Sequence, residues 1–237
     1  KKYTIDKTTH QKVFDKWKAR LVIAGNKQKD ASPSFAPIPS WSSIRLALSF
    51  TCSNKWQVHS YDLTSAFCRT PLNGRAIFVR PPPGLAPPCH LWQLHYAVYG
   101  LLDSNSEYNK LFTQQTTCFE TSFNGVTTRF EQSEDDPCLF ILKNSDGDPI
   151  MILISYIDDL IIATQDLELA KSFTTHINET WQISSPDILT CYLGIHFQRL
   201  ACGGWSFSAK AYLQKAAEKY TRYPLHPHKT PLPTGFV

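Results

Sequence analysis

The sequence lacks most of the patterns that mark a membrane, zinc-binding or exported protein. No apolar run approaches the ~18 residues of a transmembrane helix, and no signal peptide is visible. The seven cysteines include no Cys-x-x-Cys pair, which indicates neither a zinc site nor a disulfide framework. We therefore expect an intracellular, reducing compartment. The chain begins with Lys1 rather than Met, which predicts a processed product or part of a longer protein.

Glycine-rich phosphate loops are absent, and charged residues are few. The sequence contains neither Gly-x-x-x-x-Gly-Lys-Ser/Thr nor Gly-x-Gly-x-x-Gly, which disfavours an unrelated phosphoryl-transfer enzyme built on such a loop. Charged residues make up 19% of the 237 positions and hydrophobic residues 42%, values typical of a globular chain. A chain of this length can bury the core of one large domain or of two to three intimate subdomains.

The net charge of +4 permits nucleic acid as a partner but does not require it. Residues 1–30 hold an excess of lysine and arginine over aspartate. Such a basic arm can neutralise phosphates by releasing counterions. It can equally be a solvated polar terminus, and both interpretations stay open.

Hydrophobic periodicity and turn residues predict a mixed α+β chain whose helices pack on a mainly antiparallel sheet. Ser40 is the predicted N-cap of the first helix. The prolines of 81–88 predict a rigid connector. We predict helices over 40–54, 104–123, 167–181 and 208–220, and strands over 17–24, 57–63, 138–143, 150–154, 160–163 and 192–199.

The most informative segment runs from Pro149 to Thr164. Two apolar stretches flank the tetrad Tyr156-Ile157-Asp158-Asp159. Apolar strands joined by so short a link predict a β-hairpin with the acidic pair at or beside its turn. An ordinary acidic turn is the alternative interpretation of the tetrad alone.

Adjacent carboxylates repel each other unless a cation lies between them or both reach solvent. Magnesium, which prefers oxygen ligands, is the natural cation. Because successive strand residues point to opposite faces, Asp158 and Asp159 cannot both reach one metal in an ideal strand. A turn or a third carboxylate must complete the site, and Asp62, at the end of a predicted strand, is the candidate. Three carboxylates that hold two metal ions suit nucleotidyl transfer.

Further motifs accompany the tetrad in a fixed order along the chain. They are Lys18-Ala19-Arg20-Leu21-Val22, Ser34-Phe35-Ala36-Pro37-Ile38, Ser43-Ile44-Arg45-Leu46, Val58-His59-Ser60-Tyr61-Asp62-Leu63-Thr64-Ser65-Ala66-Phe67, Pro82-Pro83-Gly84, Leu94, Tyr99-Gly100-Leu101, Asp136-Pro137-Cys138-Leu139-Phe140, Tyr192-Leu193-Gly194-Ile195 and Thr230-Pro231-Leu232. Together these motifs resemble the copia-type LTR retrotransposon reverse transcriptase, the RNA-dependent DNA polymerase region of the pol polyprotein. The resemblance covers about residues 17 to 233.

The resemblance implies the α+β right-hand polymerase fold, with fingers, a mainly antiparallel palm sheet and a truncated thumb. The expected fingers occupy residues 1–60 and include the basic N-terminal arm. The expected palm occupies residues 61–200, with a fingers insertion at about 70–100. Residues 201–237 are expected to form a short thumb or a thumb remnant.

The resemblance also implies catalytic and metal-binding roles. Asp62, Asp158 and Asp159 would be the catalytic carboxylates. The same three residues, with the backbone carbonyl of Leu63, would hold two Mg²⁺ ions. The implied partners are an RNA template and a DNA primer.

Three further residues are implied to bind the incoming nucleotide. Arg20 and Lys18 would grip the triphosphate, where arginine suits bidentate contact with phosphate. Phe67 would lie under the sugar and exclude a 2′-hydroxyl. A core aromatic at Phe67 and a surface charge at Arg20 are the alternatives that the residues themselves leave open.

The chain departs from the family pattern after Tyr99-Gly100-Leu101, where the family reads Lys-Gln-Ala-Pro-Arg. Leu102, Asp103 and Ser106 replace the lysine, glutamine and arginine. We expect the Asp103 carboxylate to face the triphosphate, and at ~6 Å and an effective dielectric of ~20 this charge reversal costs on the order of 2–3 kcal/mol. Cys68-Arg69-Thr70-Pro71 likewise replaces Leu-Asn-Gly.

Two hypotheses of different class follow. The first is an RNA-directed DNA polymerase that uses two magnesium ions, and the retained aspartates favour it. The second is a domesticated, catalytically silent copy that serves as a structural or interaction subunit of a protein or ribonucleoprotein assembly. The altered 102–106 segment favours this copy, as do the lack of a ribonuclease H region after Val237 and the Lys start. Neither hypothesis includes a membrane span.

Overall fold

The computed structural model describes residues 2–5, 12–17, 19–28, 36–72, 74, 76–123 and 125–220. Its helices are α1 (Trp41–Ser53), α2 (Ser104–Cys118), α3 (Leu167–Asn178) and α4 (Lys210–Tyr220). Its strands are β1 (Lys2–Ile5), β2 (Lys12–Lys16), β3 (Gln57–Thr64), β4 (Ile77–Val79), β5 (Trp92–Leu94), β6 (Glu120–Phe123), β7 (Val126–Gln132), β8 (Leu139–Lys143), β9 (Pro149–Tyr156), β10 (Asp159–Thr164), β11 (Gln182–Ile183), β12 (Asp187–Ile188), β13 (Cys191–Tyr192), β14 (Ile195–Arg199) and β15 (Trp205–Ser208).

A central sheet of eight of the described strands organises the fold. Its order is β11–β3–β10–β9–β8–β7–β6, and β12 also pairs with β3. Every one of these pairings is antiparallel. Smaller antiparallel sheets join β1 to β2, β4 to β5, and β13 to β14 and β15. The predicted mixed α+β class with antiparallel sheets is confirmed.

The two strands at the centre of the sheet are buried on both faces, which explains why their sequences are continuously apolar rather than alternating. One face packs against α2 and α3, where Met151, Leu153, Leu160 and Ile162 meet Phe112 and Phe173. The opposite face packs against α1, where Ile152, Ile154, Ile161 and Ala163 meet Ile44 and Leu48. The β9–β10 hairpin is therefore fixed from both sides by side-chain packing.

The buried carboxylate of Asp136 ties the start of α1 to the start of β8. Its Oδ2 accepts a hydrogen bond from the Ser40 backbone N–H at 2.9 Å, and its Oδ1 accepts one from the Cys138 N–H at 2.9 Å. Ser40 is the N-cap of α1, as predicted, because its hydroxyl accepts a hydrogen bond from the Ser43 N–H at 3.0 Å. Burial raises the pKa of Asp136, but hydrogen bonds from Ser43, Ser40 and Cys138 outweigh burial and lower it.

Asp136→Asn is expected to destabilise the fold by about 2 kcal/mol, because one amide oxygen cannot accept from two N–H donors on opposite sides. The lowered pKa means that the carboxylate's contribution is present above its unfolded value of 3.8 and is lost as the pH falls below it. Urea unfolding should show that the wild-type chain has a larger free energy of unfolding than Asp136→Asn at about pH 7, and that this difference shrinks at about pH 3.5. An equal difference at both values would contradict this role for Asp136.

Two predicted boundaries are wrong in ways that the packing explains. The helix predicted over 104–123 ends at Cys118, and the chain continues as the β6–β7 hairpin around Gly125, whose φ is +80°. The strand predicted over 192–199 is interrupted at Leu193 and Gly194, whose φ values are +49° and +77°. These two residues form the turn between β13 and β14.

The strand predicted over 17–24 is also wrong. Its described residues form no ladder with another strand, and a short 3₁₀ turn follows at Gly25–Lys27. The Ile23 N–H instead donates a single backbone hydrogen bond to the carbonyl of Tyr99 at 2.8 Å. In the apolar run 21–24, Ile23 is half-buried against the distant loop at Tyr99, whereas Leu21, Val22 and Ala24 are exposed.

No helix in the described ranges is long and apolar enough to cross a membrane. All seven cysteines are free thiols. Burial, with a further effect from Asp136, raises the pKa of the Cys138 thiol to about 12. That thiol therefore stays protonated and unreactive near neutral pH.

Candidate catalytic site

The tetrad forms the tight turn of the β9–β10 hairpin, with Ile157 and Asp158 as its two turn residues. Ile157 has a φ of +49°, a region that β-branched residues rarely enter. Such a conformation costs about 1–3 kcal/mol and persists only where the surroundings hold it. The Tyr108 hydroxyl donates to the Ile157 carbonyl at 2.5 Å, and the Leu63 N–H donates to the Asp158 carbonyl at 2.7 Å. These two hydrogen bonds hold the strained turn against β3 and α2.

Asp62 on β3 is the direct register partner of Asp159 on β10. Opposed residues of an antiparallel pair point their side chains to the same face, so these two carboxylates are neighbours. Asp158 precedes Asp159 in the turn, and its backbone is bonded to the residue after Asp62. The structure thus brings the three predicted carboxylates to one end of the β3–β10 pair.

Two open cavities meet at Asp62. The larger, of about 730 Å³, is lined by Asp62 and Asp158 together with Arg20, Tyr99 and Cys68. The smaller, of about 480 Å³, is lined by Asp62 and Asp159. All three carboxylates therefore border open space.

The carboxylates strain one another electrostatically. Burial raises the pKa of Asp158, the charges of Asp62 and Asp159 raise it further, and together they bring it to about 6. A backbone hydrogen bond from Ala66 and the charge of Arg20 act in the opposite direction. Burial and then the charge of Asp62 also raise the pKa of Asp159. A cation placed among these groups would relieve this repulsion.

The donor set suits a hard divalent cation, although the side chains are not gathered around one point. In the part of the chain that the structure describes, no group of three or more His, Cys, Asp or Glu side chains is placed to hold a metal ion. Asp158 Oδ1 is nevertheless buried without a hydrogen-bond partner among the described residues. A buried carboxylate oxygen that lacks a partner is costly, and such an oxygen can serve as a ligand to Mg²⁺.

Arg20, for which the resemblance implies a triphosphate contact, lies over the ring of Tyr99. Its guanidinium is 5.3 Å from the centroid of the Tyr99 ring, a cation–π distance. The side chain lines the larger cavity with Asp62 and Asp158. Lys18, the second predicted contact, lies outside the described residues.

Phe67 is mostly buried, at 7% exposure. Its ring packs edge-on against Tyr99 at 5.3 Å and Tyr108 at 5.9 Å between centroids. It does not line the larger cavity, whereas its neighbours Ser65 and Cys68 do. The structure thus places Phe67 in the core directly beside the cavity, and its predicted contact with a sugar stays a prediction.

The expectation that Asp103 faces the nucleotide is not met. Asp103 is 1% exposed and does not line the larger cavity. Its Oδ2 instead accepts a hydrogen bond of 2.7 Å from the side-chain amide of Gln28. The same amide accepts, through Oε1, a hydrogen bond of 3.1 Å from the Leu102 N–H. No local pattern marks Gln28 as a partner of Asp103, because the two are 75 positions apart in the chain.

A carboxylate pair on a strained hairpin, a third carboxylate on the neighbouring antiparallel strand and an arginine across an open cavity define a candidate nucleotidyl-transfer site, the kind that nucleic-acid polymerases use. Comparison with known proteins agrees. The family profile described as reverse transcriptase (RNA-dependent DNA polymerase) matches residues 1–233, so the chain belongs to that family. The resemblance inferred from the ordered motifs is confirmed.

The relatives are polyproteins of plant transposons. The chain is 26% identical over 229 residues to the retrovirus-related Pol polyprotein from transposon RE2 of Arabidopsis thaliana, covering 94% of the chain and 15% of the relative. It is 25% identical to that from transposon RE1 of the same plant, covering 86% and 13%. It is 26% identical to that from transposon TNT 1-94 of Nicotiana tabacum, covering 92% and 16%. The chain therefore spans only a small part of the length of these relatives.

Proposed function

We propose that this chain is the RNA-directed DNA polymerase region of a copia-type Pol polyprotein. The fingers occupy residues 1–60 with the basic arm, the palm residues 61–200 with a fingers insertion at about 70–100, and the short thumb residues 201–237. The partners are an RNA template and a DNA primer. The observation that carries the proposal is the convergence of Asp62, Asp158 and Asp159 on open cavities at one end of the β3–β10 pair.

Asp158 is ionised under ordinary assay conditions. With a pKa of about 6, Asp158 is mostly charged at about pH 7.5, so its oxygens are available as ligands. Asp62, Asp158 and Asp159, with the Leu63 carbonyl, would hold two Mg²⁺ ions. When bound, such ions activate a primer 3′-hydroxyl and neutralise charge on the phosphoryl group.

The residues across the cavity serve the nucleotide. Arg20 supplies a fixed positive charge and planar donors for a triphosphate, and Tyr99 holds its guanidinium from below. Lys18 is assigned to the same triphosphate. Phe67 packs against Tyr99, which lines the cavity, and is assigned to discrimination against a 2′-hydroxyl.

A silent, domesticated copy is the second candidate. The observation that favours it is the position of Asp103, because a buried carboxylate bonded to Gln28 does not supply the amide that braces a nucleotide in the family. The same burial weakens the electrostatic objection to catalysis, since the carboxylate does not face the cavity. This copy would serve as a structural subunit of a protein or ribonucleoprotein assembly.

Primer extension decides between the two candidates. The purified chain, given an RNA template annealed to a DNA primer with deoxynucleoside triphosphates and Mg²⁺, is expected to extend the primer. Replacing the deoxynucleoside triphosphates with ribonucleoside triphosphates should reduce extension, and this reduction reports the role given to Phe67. A chain that melts cooperatively yet extends no primer under any divalent cation would instead support the silent copy.

A further inference from the structure

The segment 19–28, which carries Arg20, lies against the loop 98–103 through contacts that only glycine permits. The Ile23 N–H donates to the Tyr99 carbonyl at 2.8 Å. A Cβ added at Gly25 would lie 2.0 Å from the Gly100 carbonyl oxygen, and one added at Gly100 would lie 2.2 Å from the Ile23 oxygen. The two backbones are therefore in direct contact.

At the other end of this contact, Gln28 forms hydrogen bonds to the loop through both the oxygen and the nitrogen of its side-chain amide. Its Oε1 accepts from the Leu102 N–H at 3.1 Å, and its Nε2 donates to Asp103 Oδ2 at 2.7 Å. The second bond is charge-assisted and involves a carboxylate that is 1% exposed. Hydrogen bonds of this kind are stronger than neutral ones and fix both partners.

The loop that receives Gln28 also receives Arg20. The guanidinium of Arg20 stacks on Tyr99 at 5.3 Å, three residues before Leu102. From there it acts on Asp158, whose pKa its charge lowers against the stronger effect of burial. Arg20 and Gln28 thus anchor the two ends of one segment on one loop, and the cavity lies beside the Arg20 end.

We propose that Gln28 is a positioning residue for the nucleotide site, one that holds the 19–28 segment on the 98–103 loop so that Arg20 faces the cavity. The inference rests on the proposed polymerase function and deepens it. Asp103 then has a purpose in this chain, because it is the carboxylate to which Gln28 is anchored. Gln28 itself touches no reacting atom, and it acts through the position of Arg20.

The test exchanges the two partners of this hydrogen bond. Gln28→Glu sets a second carboxylate against Asp103, and like charges at this distance repel. We expect KM for the deoxynucleoside triphosphate to rise about tenfold while kcat changes less than about twofold, since the lost contact concerns binding. Adding Asp103→Asn to Gln28→Glu reverses the hydrogen bond, because the introduced amide donates to the introduced carboxylate. The double variant should regain most of the wild-type KM.

Hydrogen exchange supplies a readout that does not depend on activity. The amides of Ile23 and Leu102 are expected to exchange about tenfold faster in Gln28→Glu and to regain protection in the double variant. Gln114→Glu is the matched control, because Gln114 is exposed on α2 and the change adds the same charge. This control should alter neither KM nor exchange.

The outcomes separate the two proposals. A wild-type chain that neither extends primer nor binds triphosphate overturns the polymerase function and, with it, the role of Gln28. A wild-type chain that extends primer, while Gln28→Glu keeps both its KM and its exchange protection, overturns the role of Gln28 alone. Failure of the double variant to recover either quantity also overturns it.

Discussion

At about pH 7.5, Asp158→Asn is expected to melt above the wild-type chain and to lose primer extension by at least about 10³-fold. The gain in stability follows from the raised pKa. For a carboxylate whose folded pKa lies at about 6 rather than 3.8, the folded state binds the extra proton between these values. The free energy of unfolding of the wild-type chain therefore falls as the pH rises through this window. The Asp158→Asn variant does not lose this stability, because asparagine does not titrate.

The size of the stability gain is modest because Asp158 is partly exposed. Raising a carboxyl pKa from 3.8 to about 6 corresponds to about 3 kcal/mol for a fully buried group, and solvent screening reduces this to about 1 kcal/mol. A gain of that size raises Tm by about 3 °C in a chain of this length. Melting curves from about pH 4 to about pH 8 should show the difference growing with pH.

Asp146→Asn is the matched control for this prediction. Asp146 is an exposed carboxylate in the turn between β8 and β9, on the side of the hairpin opposite its tetrad end. Its substitution should leave both Tm and primer extension unchanged. The electrostatic account of the site would be contradicted if Asp158→Asn lowered Tm at neutral pH. It would also be contradicted if Asp158→Asn left Tm unchanged, as the control is expected to do.

Trp181→Ala is expected to produce the largest loss of stability, about 4 kcal/mol, because it empties a fully buried aromatic site. The indole is 0% exposed and packs against Tyr108 and Phe112, with ring centroids at 5.7 Å in both pairs. Its Nε1–H donates to the carbonyl of Ala66 at 3.2 Å. A loss of this size lowers Tm by about 10 °C, which differential scanning calorimetry resolves.

Trp181→Ala is also expected to disturb the candidate catalytic site, because Trp181 packs beneath the turn that follows Asp62. The Ala66 carbonyl that receives the indole N–H belongs to the residue whose N–H bonds to Asp158. Trp181→Phe keeps most of the packing and should cost only about 1 kcal/mol, since the Thr70 hydroxyl still donates to the Ala66 carbonyl at 3.0 Å.

An exposed tryptophan provides the comparison for Trp181. Trp41 is 40% exposed in the first turn of α1, so Trp41→Ala should cost less than about 1 kcal/mol. If Trp181→Ala were as mild as Trp41→Ala, then the core beneath the site would not be packed as the structure describes.

The local features of the site were predictable because they depend on short stretches of chain. The apolar runs on either side of the tetrad predict the hairpin, and burial of β9 and β10 on both faces confirms why those runs are continuous. Ser40 was predictable as an N-cap because capping depends on a hydroxyl three residues before a free N–H. The metal chemistry predicted Asp62 as the third carboxylate, but the register that places it opposite Asp159 was not predicted.

The features that escaped prediction depend on contacts between distant parts of the chain. The apolar run of 21–24 has the composition of a strand, but its partner is the loop at Tyr99, which no local pattern reveals. The prediction that Asp103 faces the nucleotide depends only on its position in the family motif. Its burial depends on Gln28, a residue 75 positions away.

The measurement that tests the account most directly is Mg²⁺-dependent primer extension on an RNA template by the wild-type chain, with Asp158→Asn assayed beside it. Both proteins are first shown to melt cooperatively. The account predicts extended product from the wild-type chain only when Mg²⁺ is present, and none from the variant. Equal product from both proteins, or no product from a folded wild-type chain, would contradict it.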